Sequence, residues 1–368
     1  MLIFWILAGS ALLYGLQRWI YSGLWSRKLR MGLRFPAAAI TEGEDAAVEE
    51  RVENGKALPL PLLNYEYILC RNFAALTEND VTPLLFRRKL ALPGRRAAVN
   101  RTAIRGLRRG LYTVTEGKLY CADLFYTARW TKPVYSQARL TVYPAKIPAE
   151  RLSLPFRQLL GAVLTRRMAQ EDPFLLKNIR PYEIYDSMRS INWKASARTG
   201  ALKVNQFEYS TDEALILLLD LEGGSVEERE ELIRLASSMS LLFLRRGVSV
   251  SLWSNGKSCI SGRPLRVPAG SGVGHQLAVD EPLAQVKLGA SVTEPFDAFL
   301  RGLPKSLTGS ALPVVLSAAD PAEIAALFQS CFGPGGGYLL TLGGQTELRV
   351  QDGVKVLSWN PVGEEGSL

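Results

Sequence analysis

Residues 214–247 read "ALILLLDLEGGSVEEREELIRLASSMSLLFLRRG", and how this stretch divides decides the fold of the distal half of the chain. "ALILLLD" is a continuous apolar run, the pattern of a parallel strand covered on both faces rather than the alternation of a half-exposed one. Gly223 and Gly224 turn the chain. Ser225 with Glu228 three residues later is a capping box; acids fill the first turn, Arg245 and Arg246 the last, and Gly247 ends the helix. Downstream, "VSVSLW" is the next strand, and Asn255-Gly256 reads as a tight turn into a two-stranded excursion through "KSCISGRPLRVP". "LPVVLSA" and "YLLTL" are further buried strands, separated by a helix opened by Asp320, Pro321 and Glu323. Strands alternating with helices predict a parallel sheet with right-handed crossovers. The expectation is a doubly wound α/β domain over residues 213–360, followed by a tail, 361–368.

Upstream the rhythm differs. Residues 36–147 carry short β-rich runs such as "AAVEERVEN", "NYEYILC", "RRKLAL", "GLYTVTEGKLYCADLF" and "QARLTVYP", spaced by Pro, Gly and Asn without a helical period. This is a small antiparallel β-sandwich in outline. Residues 148–212 connect the two domains; Pro148, Pro155, Pro173 and Pro181 punctuate them, and a helix is expected from Pro155 to about Ala169.

The first 35 residues form an anchor with a basic flank. "LIFWILAGSALLYGL" is uncharged, and "QRWIYSGLW" extends it with aromatic residues suited to a headgroup boundary. To about Ile20 this supplies roughly the 17 to 20 residues that a span needs. A cleaved signal peptide competes, but it calls for positive charge before the apolar run, and the cations follow it instead: Arg18, Arg27, Lys28, Arg30 and Arg34. By the positive-inside rule the expected topology is a single-pass cell-membrane protein with cytoplasmic soluble domains. The fold class is thus α+β multidomain: a membrane helix, a small antiparallel β-sandwich, then the doubly wound α/β domain.

Charge is divided along the chain. From Glu208 onward there are 19 acids and 12 bases, against 16 acids and 32 bases before it. No acid lies between Asp80 and Glu116, a stretch holding Arg87, Arg88, Arg95, Arg96, Arg108 and Arg109 among its cations. Such a surface could lie against anionic lipid, each charge contributing on the order of 1 kcal/mol, or be a solvated face of the β domain. Nucleic acid is not indicated, because no helix-turn-helix, aromatic RNA-binding motif or zinc finger accompanies the cations.

Enzyme signatures lack their essential groups. The single histidine, His275, sits in the glycine-rich "AGSGVGHQL" and reads as a surface residue, so a Ser-His-Asp or Cys-His arrangement has little to draw on. That loop lacks the GxxxxGK[ST] of a phosphate-binding turn. Cys70, Cys121, Cys259 and Cys331 are scattered without a CxxC pair and read as buried free thiols.

The densest polar-aromatic stretch is "IRPYEIYDSMRSINWKASARTGALKVNQFE", residues 179–208. "WKASAR" tolerates a helix, with Thr199-Gly200 as its stop; starting at Ser190, such a helix would line up Ile191, Lys194, Ala195 and Arg198, whereas an extended segment would pair Ile191 with Trp193. Asp186 could pair with Arg189 or cap the helix. Arg180, Arg189, Lys194, Arg198 and Lys203 outnumber Glu183 and Asp186, and surplus guanidinium groups seek carboxylates on the neighbouring domain or on a partner.

This stretch resembles the signature of the bacterial domain-of-unknown-function family numbered 58, with "RRGLYTV", "ADLFYTARW" and "LTVYPAKIP" similar to the family's approach to it. Departures are Tyr185 where the family generally has glycine, and one membrane helix where two are common. The resemblance implies a von Willebrand A-like α/β domain. It also implies a non-enzymatic adaptor or scaffold, acting with a MoxR-type AAA+ ATPase or another envelope protein in cell-envelope or stress processes. The residues it marks for partner binding or for the domain joint are Arg180, Tyr182, Asp186, Arg189, Trp193, Lys194, Ser196 and Arg198. No cofactor is implied. The second reading is a Mg²⁺-dependent von Willebrand A-type module. Its Asp-x-Ser-x-Ser set is replaced here by Asp220-Leu221-Glu222-Gly223-Gly224, which leaves Asp220, Glu222 and Asp320 as the candidate ligands.

Overall fold

Alternation of buried and exposed side chains builds the first of two units, Met1–Ala145 and Lys146–Leu368, into which the chain divides. The structure, a computed structural model, describes residues 1–69, 73–75, 85–169, 171–183, 186–209, 214–288, 294–304, 311–332, 337–343, 348–351 and 354–360. The tail at 361–368, Cys70 and Tyr185 lie outside the described residues.

The first unit opens with α1 (Leu2–Leu24), a helix long and apolar enough to cross a membrane. Among the described residues nine strands follow: β1 (Leu29–Arg34), β2 (Ala39–Thr41), β3 (Asp45–Asn54), β4 (Leu60–Ile68), β5 (Phe73–Ala75), β6 (Leu85–Leu92), β7 (Arg96–Gly106), β8 (Gly110–Ala122) and β9 (Arg129–Tyr143). They form two sheets, ordered β1-β3-β7-β5 and β2-β9-β8-β4-β6. Both sheets supply one apolar core that includes Val48, Val52 and Ile104 from the first and Leu63, Leu119 and Leu140 from the second. The expected antiparallel sandwich needs two amendments. Strand β2 pairs with β9 in parallel. Residues 29–34, assigned to the anchor's flank, are β1; they turn Leu29, Met31 and Leu33 inward and Arg30 and Arg34 outward, and Tyr21 and Trp25 of the anchor reach the same core.

The second unit begins with Lys146, whose ammonium donates to both oxygens of the buried Asp280 at 2.7 and 2.6 Å and to the Ser237 hydroxyl. Then come α2 (Ser153–Ala169), β10 (Glu171–Pro181), a single 3-10 turn (Met188–Ser190), α3 (Trp193–Thr199) and β11 (Lys203–Tyr209). The α/β part comprises β12 (Ala214–Leu219), α4 (Val226–Arg245), β13 (Ser249–Lys257), β14 (Pro264–Gly270), α5 (His275–Gln285) and α6 (Phe296–Arg301). It continues with β15 (Leu312–Ser317), α7 (Pro321–Phe332), β16 (Tyr338–Leu342), β17 (Leu348–Gln351) and β18 (Val354–Trp359). The sheet runs β14-β13-β12-β15-β16-β18-β17, parallel except at the edge strands β14 and β17.

The apolar run of β12 is explained by its two covered faces. Leu215, Leu217 and Leu219 enter one core with Leu232, Met239 and Phe243 of α4, joined by Leu152 and by Phe156 and Leu159 of α2. Ile216 and Leu218 enter the other, with Phe299 of α6 and Phe328 of α7. The capping box is formed: the Ser225 hydroxyl accepts from Glu228 N–H, and the Glu228 carboxylate accepts from Ser225 N–H. Gly224 has φ +76°, and a Cβ there would meet Ala318 Cβ at 2.7 Å, so only glycine makes this turn.

Two local expectations fail. Asn255-Gly256 is not a turn: β13 runs through both, because Asn255 is buried and its side chain bonds Leu221 N–H, while the reversal comes at 258–263. The thiols are not all buried either; Cys121 is, and burial pushes it up to about 11, but Cys259 is exposed and Cys331 half-buried.

Candidate functional site

The 179–208 stretch is a hairpin with a helical insert. Strands β10 and β11 pair antiparallel, with Arg180 opposite Val204 and Pro181 opposite Lys203, and the 3-10 turn and α3 fill the loop between them. The insert is held by polar contacts made early in the loop. Arg180 forms a fork with Asp186, Nη1 to Oδ2 at 2.7 Å and Nη2 to Oδ1 at 2.6 Å, and Asp186 also accepts from Glu183 N–H at 2.8 Å. Asp186 thus serves Arg180 rather than Arg189: its N–H donates to Glu183 C=O at 2.9 Å, a turn that sets its carboxylate on the Arg180 fork, whereas Arg189 is exposed.

The helix starts at Trp193, not Ser190. Asn192 is its N-cap, accepting from Ala195 N–H at 2.9 Å and donating to Asn205 on β11 at 2.6 Å. Ile191 is extended, buried and bridged to Val204, so it does not share a helical face with Arg198. Ser196 is buried; its hydroxyl donates to Asn192 C=O at 2.8 Å and accepts from Lys203 N–H at 2.9 Å, which locks α3 to β11. Gly200, at φ +69°, stops the helix as expected. Tyr182 is half-buried, and its N–H donates to Leu202 C=O at 3.0 Å.

What remains of the signature faces solvent. Trp193 is 67% exposed and Met188 76%, although both are large apolar side chains. Arg189, Lys194 and Arg198 are exposed too, and none of these three side chains pairs with another described residue. Lys194 and Arg198, one helical turn apart, share a side of α3.

The fork gives a pH test. Arg180, then the Glu183 N–H, hold the Asp186 carboxyl below the ordinary carboxylate value. A depressed acid contributes stability above its unfolded pKa, about 3.9, and loses it as pH falls through the folded value. The melting-temperature difference between the protein and Asp186→Asn is therefore expected to be largest near neutral pH and to shrink below about pH 4. A difference constant from pH 7 to pH 3 would contradict the fork.

The second candidate, the carboxyl edge of the α/β sheet, is arranged differently from the metal expectation. Strands β12 and β15 are neighbours from which the chain winds in opposite directions, so ligands would enter at their carboxyl ends. Asp220 lies there, but buried: Oδ1 accepts from Glu222 N–H at 2.9 Å and from Asn255 Nδ2 at 3.1 Å, and Oδ2 accepts from the Ser317 hydroxyl at 2.7 Å. Glu222 accepts from Phe296 N–H at 2.7 Å and so starts α6, while Asp320 accepts from Ala322 N–H at 3.0 Å and starts α7. The three carboxylates do not converge, and among the described residues no group of three His, Cys, Asp or Glu side chains could hold a metal ion. Each acid is committed to a neighbouring backbone donor, which is the physical reason the expected Mg²⁺ site is not formed.

His275 is not a loop residue at the surface. It opens α5, half-buried, with Nε2 3.1 Å from Val250 C=O, and its ring fills the space a Cβ at Gly270 would need.

The basic run is divided between the sheets, β6 in one and β7 in the other, and acids on partner strands meet it. Arg87 pairs with Glu66 at 3.0 Å, Arg101 with Glu49 at 3.3 Å and Arg105 with Asp45 at 2.7 Å. Arg88, its side chain 41% exposed, lies 3.7 Å from the buried Glu50, and Arg109 is itself buried and so does not present its charge to a lipid face. Arg95, Arg96 and Arg108 are exposed. The acid-free sequence misled because strand pairing brings Asp45, Glu49 and Glu66 from elsewhere in the chain.

Glu50 was not singled out by its sequence context. Fully buried between the sheets, it accepts hydrogen bonds from the Tyr65, Tyr67 and Thr102 hydroxyls. Burial, then the adjacent carboxylate, pushes both phenols up, so they stay protonated donors.

Residues 178–318 match the family described as protein of unknown function DUF58. No curated protein matches the chain. Among solved structures it is similar in part to a non-cellulosomal cohesin from Archaeoglobus fulgidus, at 14% identity over 31% of this chain and 91% of the cohesin, TM-score 0.22. A CARDB domain from Pyrococcus furiosus matches at 15% identity over 30% of this chain and 93% of that one, TM-score 0.19. A cohesin module from a Clostridium perfringens family 33 glycoside hydrolase matches at 8% identity over 30% and 97%, TM-score 0.20.

Proposed function

We propose that the chain is a membrane-anchored, non-enzymatic interaction protein, and that its signature hairpin docks an acidic segment of a MoxR-type AAA+ ATPase or of another envelope protein. One observation carries this reading: Trp193 and Met188 stand exposed among the cations Arg189, Lys194 and Arg198, which pair with no other described residue, on an insert braced by the Arg180–Asp186 fork, Asn192 and Ser196. Exposed tryptophan beside arginine is the composition of interface hot spots, and a braced platform loses little freedom on binding. The surplus positive charge selects for carboxylates on the partner.

The α/β sheet would be of the von Willebrand A-like kind. Its order, with β12 an interior strand between β13 and β15 and the antiparallel β14 at one edge, supports this. The apolar α1 would hold the protein in the cell membrane, and the cations at its end and beyond it, Arg18 and then Arg27 through Arg34, support a cytoplasmic body.

The test uses the full chain in lipid nanodiscs and a purified MoxR-type ATPase. Trp193→Ala is expected to weaken binding at least about tenfold, and Arg189→Glu with Arg198→Glu by a similar factor, with unchanged melting temperature. Unchanged affinity in both variants would overturn the proposal; a matching fall in melting temperature would give the residues a supporting role in the fold instead.

A further inference from the structure

The turn between β8 and β9 carries three consecutive exposed apolar side chains: Leu124, Phe125 and Tyr126 are 52, 57 and 63% exposed. A hairpin turn in water is ordinarily built from Gly, Asn or Asp. Here Tyr126 holds φ +61°, a region bulky residues rarely enter, and its N–H donates to Asp123 C=O at 3.0 Å. The turn is therefore shaped to present large side chains outward.

It is also fastened to the membrane helix. Asp123, fully buried, accepts from Gln17 Nε2 of α1 at 3.1 Å, from the Thr127 hydroxyl at 2.6 Å and from Ala128 N–H at 2.8 Å. Tyr14 and Thr127 share a hydroxyl hydrogen bond of 2.9 Å, and the rings of Tyr14 and Phe125 are 5.9 Å apart. Tyr14, Gln17, Ile20 and Tyr21 of α1 and Trp25 just after it are turned away from solvent, and the β unit grips the helix from Trp25 up to Tyr14.

This attachment sets the depth of the turn. Arg18 is the first charged side chain along α1, and its guanidinium donates to the Tyr14 hydroxyl at 3.1 Å, so the polar boundary passes close to that hydroxyl. Tyr14 lies about 6 Å further along the helix than Arg18, on the side of the apolar residues. Whatever touches Tyr14 sits at the same depth. The uncharged run from Leu2 to Gln17 spans about 24 Å, less than a hydrocarbon core of about 30 Å, so further apolar groups at its end are accommodated.

We infer that the β8–β9 turn is a second membrane contact, with Leu124, Phe125 and Tyr126 inserted at the headgroup–acyl boundary beside α1. The occupant of this apolar surface is lipid, because a helix in the bilayer carries the turn in with it. Aromatic and aliphatic side chains of this kind bind that boundary, and the exposed Arg129 that follows them suits anionic headgroups. The inference rests on the reading of α1 as a span, proposed above.

The test places the full chain, one copy per nanodisc, in phosphatidylcholine–phosphatidylglycerol containing lipids with a nitroxide at acyl carbon 5 or 12. Cys70, Cys259 and Cys331 are replaced by Ser, and an environment-sensitive fluorophore is attached at Phe125→Cys or, separately, Leu124→Cys. Leu7→Cys reports on α1, and Val99→Cys, exposed on β7 of the other sheet, is the aqueous reference. Both turn labels are expected to lose at least half their emission, more with the shallow nitroxide than the deep one, while Leu7 is quenched and Val99 is not. Leu7 quenched with both turn labels unquenched overturns the inference and leaves the anchor standing. Leu7 unquenched removes the anchor, and the inference with it. A blue-shifted but unquenched turn label assigns the turn to a protein contact and also overturns it.

Discussion

Replacing Glu50 with Ala is expected to destabilise the first unit by about 4 kcal/mol, the scale of breaking a buried charged network by removing one member. Three hydroxyl donors, from Tyr65, Tyr67 and Thr102, would lose their shared acceptor in a site closed to water, and the Arg88 guanidinium would lose the carboxylate 3.7 Å away. For a unit of this size, that is a fall of roughly 10 °C in melting temperature. The network joins β3 and β7 of one sheet to β4 and β6 of the other, so its loss loosens the sandwich itself. Glu50→Leu with Tyr65→Phe and Tyr67→Phe, which removes most of the polar partners together, is expected to recover a large part of the loss. Scanning calorimetry of the full chain in detergent would decide it; a shift under about 2 °C for Glu50→Ala would mean that the network contributes little to the fold.

Asp220 should separate a structural carboxyl from a metal ligand. Asp220→Ala strands Asn255 Nδ2, Glu222 N–H and the Ser317 hydroxyl, and is expected to cost about 2 to 4 kcal/mol. Asp220→Asn keeps an acceptor for the first two and turns its amide N–H, a donor, to the Ser317 hydroxyl, which can reorient to accept, so its cost is expected to be below about 1 kcal/mol. Burial holds the Asp220 carboxyl above its ordinary value, more than its hydrogen bonds lower it. A raised acid contributes most below its unfolded pKa and loses that contribution as pH rises through the folded value. The native protein should therefore lose stability relative to Asp220→Asn as pH rises from about 4. Titration calorimetry with Mg²⁺ is the complementary measurement: saturable binding at micromolar Mg²⁺, abolished in Asp220→Asn, would sink the structural account.

Much of the distal α/β unit was legible because its signals are local. Caps such as Ser225 with Glu228 act within one helical turn, and a strand covered on both faces reads as an unbroken apolar run. The signature hairpin was legible only in part. Gly200 announced the helix stop, yet the start at Asn192 depended on Asn205 and Val204 across the hairpin, and Arg180 took the partner expected for Arg189. Asn255-Gly256 has the composition of a turn, but burial of Asn255 against Leu221 keeps it in the strand.

By itself the sequence determined the membrane-grade helix and the capped helices and fully covered strands of the distal unit, since propensity, capping and hydrophobic period are properties of neighbouring residues. Tertiary structure alone decided which charges are spent and which remain. Pairing across β3, β4, β6 and β7 gave Arg87, Arg88, Arg101 and Arg105 acid partners in a run that is wholly basic in sequence, burial turned Asp220 inward, and the exposed Arg189, Lys194 and Arg198 pair with no other described residue. It also set the apolar β8–β9 turn against α1, more than a hundred residues away in the chain. The reason is that strand register and side-chain pairing are contacts between distant residues, which no local pattern encodes.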